Sequence, residues 1–190
     1  MTDQTNQQPS RQPEPAFALE SVLREVEGHV AGAGWDQRAR LYALVPTEDL
    51  LEREPGLAEA LGLDGDPAPG QLTPVEQEVP ADGPALESVL ESVEWPPAVQ
   101  GCAAVLERLV LPPDAEGSLP DDDAAAAAYA REHPERQEVR IAAGALRTGE
   151  QYALLRLRSH DDERSVVGGT DLVPALLSLL TATLTEEPPA

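Results

Sequence analysis

Apolar residues recur along this chain at two spacings, and the spacings divide it into helices and strands. Leu19, Val22, Leu23, Val26 and Val30 follow one another at helical intervals, a single stripe on a helix from about Ala16 to Ala31. Pro15 precedes that helix, and Gly32 and Gly34 stop it. Arg40–Val45 reads as a short strand, apolar on both faces and ended by Pro46. Thr47 is the expected N-cap of the next helix, with Glu48 and Asp49 in the first turn, where the helix dipole favours acids. Pro55 should break this helix, and Gly62 should end its second half. Asp64–Pro84 is rich in Pro, Gly and Asp and is expected to be a long surface loop.

From Pro84 a helix is expected through Trp95, with Leu86, Val89, Leu90 and Val93 as its stripe and Pro96 and Pro97 as its end. Gly101–Leu111 reads as a buried strand. Asp121, Asp122 and Asp123 precede an Ala run, which should be helical to about Arg131. Glu138–Leu146 and Gln151–Arg158 read as two strands of a hairpin joined at Thr148-Gly149. A last helix, the greasiest element, runs from about Asp171 to Leu184 with Thr170 as its cap. The expected order is α-β-α-α-β-α-β-β-α. That order points to a single α+β domain with a small, mainly antiparallel sheet packed by helices. Residues 1–15 and 185–190 hold little to bury and are expected to be disordered tails, which leaves 16–184 as the domain.

Composition narrows the function. Hydrophobic residues make up 41% of 190 residues and aromatics only 3%, so the core must be built from Leu, Val and Ala. The net charge is −22, which repels nucleic acid and anionic membrane surfaces and favours solubility or a basic partner. Every positive side chain is Arg, and Lys is absent, a skew expected of a GC-rich genome. The single cysteine, Cys102, allows neither an internal disulfide nor a Cys-based zinc site. The polar stretch after Met1 has no signal-peptide pattern, and Leu172–Leu184 is too short for a spanning helix. A cytoplasmic protein is expected.

Three stretches look familiar together: Gly34–Leu51 (GWDQRARLYALVPTEDLL), Glu94–Pro113 (EWPPAVQGCAAVLERLVLPP) and Leu154–Asp162 (LLRLRSHDD), followed by DLVPALL at 171–177. They resemble an uncharacterised actinobacterial family catalogued under a Propionibacterium locus tag. The resemblance spans most of the chain beyond residue 15 and implies lineage and fold but no catalytic residues.

The hairpin carries the most distinctive chemistry. Tyr152, Leu154, Arg156 and Arg158 share one face of its second strand. Matching the apolar faces through a three-residue turn places Arg140 opposite Arg158 and Ala142 opposite Arg156. Like charges facing each other across a ladder destabilise it, so acids should sit nearby. Residues 136–164 hold six Arg against five acids, whereas 47–100 hold one Arg against thirteen acids. Either this face grips a carboxylate, a phosphate or an acidic patch on a partner, or Glu138, Asp161 or the acidic middle segment neutralises it within the chain. The candidate binding surface is Arg140, Tyr152, Arg156, Arg158, His160 and Asp161.

Other features carry less. His160 beside Asp161 suits a metal site or an acid–base pair, but equally a polar turn after a strand. Cys102 in an apolar strand reads as a small buried hydrophobe. Asp64-Gly65-Asp66 lacks the remaining ligands of a calcium loop. Trp35 and Trp95 read as core plugs, or as binding hot spots if exposed. No nucleophile elbow, Walker loop, dinucleotide fingerprint or zincin motif is present. The expected function is a non-enzymatic, cytoplasmic protein-binding module, adaptor or chaperone-like, with no cofactor and no metal. The alternative is an enzyme or sensor holding a small anionic metabolite at the Arg/His cluster. Another protein is the expected partner, rather than nucleic acid or membrane. A homodimer could set the acidic middle of one copy on the Arg-lined hairpin of the other.

Overall fold

A computed structural model describes residues 15–60, 62, 66–79, 86–120 and 122–185. The expected tails fall almost wholly outside the described residues, which begin at Pro15, inside the first helix. That helix, α1 (Pro15–Gly32), buries Leu19, Val22, Leu23, Val26 and Val30, the stripe that the spacing predicts. There follow β1 (Arg40–Pro46), α2 (Thr47–Arg53), α3 (Leu57–Ala60), β2 (Leu72–Gln77), α4 (Leu86–Leu90) and β3 (Gly101–Val110). The chain continues through α5 (Pro113–Glu116), α6 (Asp123–Glu132), β4 (Gln137–Leu146), β5 (Gln151–Leu157), β6 (Val167–Gly169) and α7 (Pro174–Leu184). Asp122 caps α6 by accepting from the Ala125 amide.

The strands form one antiparallel sheet in the order β2-β1-β3-β4-β5-β6. Helices cover both faces, so the expected single α+β domain holds. Alternation along the central strands sends Tyr42, Leu44, Ala103, Val105, Ala142 and Leu154 toward α1. It sends Leu41, Cys102, Ala104, Ile141, Ala143 and Ala153 toward Leu177, Leu180 and Leu184 of α7 and Leu86 and Leu90 of α4. Small residues in the middle of the sheet let both helix layers approach closely. A Cβ on Gly144 would stand 3.1 Å from methyls of both Leu19 and Leu23, so α1 rests directly on the β4 backbone.

Several expectations need correction. The stretch read as a surface loop contains the edge strand β2, which pairs Leu72–Gln77 with Pro46–Leu41. The Thr47 amide bonds the Gln71 carbonyl. Ladder alternation from that pair turns the Pro74 backbone nitrogen outward, where a missing N–H costs no sheet bond. Thr47 is the first residue of α2, and Pro46 holds the cap position. The Thr47 hydroxyl is buried against Thr73 Oγ1 at 2.9 Å, and this pairing withdraws it from capping. Helix α4 ends at Leu90, well before Trp95, and its expected start at Pro84 lies outside the described residues. Helix α7 begins at Pro174, whose fixed φ suits a first helical position, so Thr170 does not cap it. The three-residue strand β6, VGG, is too short to register as a pattern.

The hairpin register also differs. Arg140 faces Arg156, not Arg158, and Ala142 faces Leu154. Gly149 decides this with its φ of 100°. Three-residue hairpin loops place a left-handed residue last, so the loop is Arg147-Thr148-Gly149 and Leu146 closes on Glu150. Arg147 then turns back into the fold and donates to the carbonyls of Val99 at 2.8 Å, Leu184 at 2.5 Å and Trp95 at 3.0 Å.

Candidate functional site

Strand alternation puts Arg140 and Arg156 side by side on the α1 face, one pleat beyond the apolar core. Both are buried, at 0% and 4% exposure. Two buried guanidinium groups require compensation, and α1 supplies it. Glu27, itself 3% exposed, accepts from Arg156 Nε at 2.6 Å and Nη2 at 2.7 Å, and lies 4.0 Å from Arg140 Nη1. Glu107, directly across from Arg140 on β3, accepts from Arg140 Nη2 at 2.9 Å. Asp161 completes the row at 3.3 Å from Arg156 Nη1. Glu27 raises the pKa of the Arg156 guanidinium through its hydrogen bonds and charge.

The turn between α1 and β1 closes over this row. The Gly34 carbonyl accepts from Arg140 Nη2. The Trp35 ring lies 4.4 Å from the Arg140 guanidinium carbon and 5.6 Å from that of Arg158. Trp35 Nε1 donates to Asp161 Oδ2 at 2.8 Å. The amides of Asp36 and Gln37 donate to Glu107 Oε2 at 2.8 and 3.3 Å. Asp36, in the left-handed region at φ 65°, aims both carboxylate oxygens at the Arg158 fork, at 2.9 and 3.0 Å. Arg158 also donates to Glu138. Its hydrogen bonds to Arg158 hold the Asp36 carboxyl below the usual carboxylate range.

The candidate residues thus divide. Arg140, Arg156, Arg158 and Asp161 join in one network. Tyr152 shares their sheet face but lies apart, its ring over Gly168 and its hydroxyl pKa raised chiefly by burial. His160 sits in an exposed turn, Arg158–His160, where Nδ1 meets its neighbour Ser159 Oγ at 3.0 Å. Among the described residues, no three His, Cys, Asp or Glu side chains converge as a metal site. Cys102 is buried between the sheet and α7, and burial pushes its thiol up to about 11. A thiol held protonated in this way is a poor nucleophile.

Glu27, Glu107 and Asp36 belong to the site although the sequence does not single them out, and Trp35, expected as a core plug or an exposed hot spot, joins them half-buried. Two signals were present. Glu27 falls inside the α1 stripe, four residues after Leu23 and three before Val30. Glu107 takes the same strand face as Ala103 and Val105. A carboxylate at a core position implies a buried cation opposite it. Among the described residues the network's carboxylates outnumber its arginines, although a shallow pocket beside Arg158 is lined by Arg136 and Arg158 against Glu138 alone. A cleft between α1 and the chain after β5 does reach Arg156, but Arg24, Glu27, Arg156 and Glu163 line it with balanced charge. Among the described residues, no helix is long and apolar enough to cross a membrane.

The chain belongs to the family of PPA1309-like proteins, an uncharacterised family named after a Propionibacterium acnes locus tag, whose model matches residues 19–185. No curated protein and no solved structure matches the chain.

Proposed function

We propose, from the geometry above, a cytoplasmic protein-binding module of adaptor or chaperone-like type. Its contact is centred on Trp35 and Arg158. The observation that carries this reading is the pairing of a half-buried Trp with a partly exposed Arg, both held in place, on an otherwise acidic surface. Trp and Arg are the residue types on which binding energy concentrates. Both are already ordered by Asp161 and Asp36, so little conformational entropy is lost on contact.

Tagged wild type, Trp35→Ala and Arg158→Ala, each shown to be folded by its thermal melt, would be used to capture partners from the host. A partner held by wild type and lost by both variants supports the reading. A partner retained equally by all three removes it.

The second reading is a small anionic metabolite at the cleft beside Arg156. It rests on that guanidinium reaching the cleft. Glu27 and Asp161 already occupy its donors, which weighs against an anion binding there.

A further inference from the structure

We propose that the Asp36 side chain is a built-in pseudo-ligand: it holds on Arg158 the place that a carboxylate side chain of a partner protein takes by exchange. The proposal rests on the reading of Trp35 and Arg158 as a contact surface, and it names the partner's chemistry. The Asp36–Arg158 contact is a two-pronged fork at 2.9 and 3.0 Å, the geometry by which Arg recognises any carboxylate. Unlike the pairs beneath it, this one is reachable from solvent. The Asp36 side chain is 76% exposed and that of Arg158 40%, against 3% and 5% for Glu27 and Arg156.

Exchange keeps the number of carboxylates on the Arg158 fork unchanged, while the displaced Asp36 stays tethered nearby and the incoming group adds one negative charge to the region. The turn need not unfold. Its backbone stays pinned through the Gly34 carbonyl on Arg140 and the Asp36 and Gln37 amides on Glu107, so only the Asp36 side chain rotates away. The Trp35 ring, fixed through Asp161, remains beside the fork, on which Glu138 keeps its own hydrogen bond, as a platform for the incoming segment. A tethered carboxylate competes at an effective concentration on the order of millimolar. Weak acidic surfaces are thereby rejected and strong ones admitted.

The test measures fluorescence anisotropy of a labelled hexa-aspartate peptide on the full chain at fixed physiological salt, with hexa-serine as control. Wild type is compared with Asp36→Asn, Arg158→Gln and the double variant. Asn tolerates the left-handed backbone and changes the net charge by one, so bulk repulsion is nearly constant across the set. The expected result is hexa-aspartate binding about fivefold or more tighter to Asp36→Asn than to wild type, and lost in both Arg158→Gln proteins. Equal affinity for wild type and Asp36→Asn, or no binding to either, overturns the proposal. A thermal shift by citrate that is lost in Arg158→Gln, without any hexa-aspartate binding, also overturns it, because the fork would then be a metabolite site. A host partner captured equally by wild type and Asp36→Asn, alongside unchanged peptide affinity, would sink the exchange while leaving the Trp35–Arg158 contact in place.

Discussion

Glu27 is one carboxylate facing two buried guanidinium groups, and removing it leaves Arg156 without its main partner and Arg140 with Glu107 as its remaining carboxylate. Glu27→Ala should therefore cost about 3–5 kcal/mol, read as a lower midpoint in urea unfolding. Replacing the three most buried members together is a different experiment. Glu27→Leu with Arg140→Met and Arg156→Leu removes the charges together and should recover most of that loss, as buried ion pairs exchanged for packed apolar side chains often do. If the single and triple variants prove equally unstable, the damage comes from lost packing and not from uncompensated charge. Arg140 sharpens the point, since its Nε and Nη1 are buried without a hydrogen-bond partner among the described residues. The cluster therefore fixes how α1 and the turn sit on the sheet more than it adds net stability.

At the level of elements, the contact of α1 on β4 depends on a missing side chain. Gly144→Val would drive its Cβ toward Leu19, Leu23 and the Cys102 carbonyl, all within 3.2 Å. The variant should lose about 1–3 kcal/mol in thermal or urea unfolding, with α1 amides losing hydrogen-exchange protection before those of β3. Unchanged protection in α1 would mean the helix is held elsewhere. Elements with strong periodicity were legible: α1, β1, β3, β4 and β5 lie within a residue or so of where spacing puts them. Element β2 was hidden because Pro74 and the flanking Pro and Gly residues mimic a loop, whereas an edge strand tolerates a proline whose nitrogen faces solvent. The hairpin register was missed by one loop position, since the left-handed Gly149 and not the best match of apolar faces decides it. The arginines were legible as a cluster in need of acids. Which acids serve was not, because Glu27 and Glu107 reach them only through helix and sheet packing.

For the whole molecule, two opposite pH effects meet. Hydrogen bonds depress the pKa of the carboxyls of Asp36 and Asp162, from Arg158 to the first and chiefly from Ser165 to the second. Groups depressed in the folded state contribute stability above their unfolded pKa, and that contribution is lost as pH falls through the folded value. The net charge of −22 acts the other way, because its self-repulsion relaxes as other acids protonate. Tm should thus rise from pH 8 to about 5–6 and fall below about 4, and salt should raise it at pH 8 more than at pH 5. A Tm that falls steadily from pH 8 downward would show that paired carboxylates outweigh the repulsion. On the alkaline side, the buried Cys102 thiol has its pKa raised to about 11, so its contribution is present below the ordinary thiol pKa and lost as pH climbs toward that value.

The union of Glu27 with Arg156 joins residues 129 positions apart. At ordinary ribosomal speeds, roughly 6–25 s pass between the emergence of one and of the other. Throughout that interval the nascent α1 carries a greasy stripe whose partners on β4 and β5 have not all emerged. The carboxylate within the stripe makes the exposed helix a poorer target for premature collapse and aggregation. It becomes acceptable in the interior only when the hairpin delivers its guanidinium groups, so a residue costly to remove from the finished fold also guards the unfinished one.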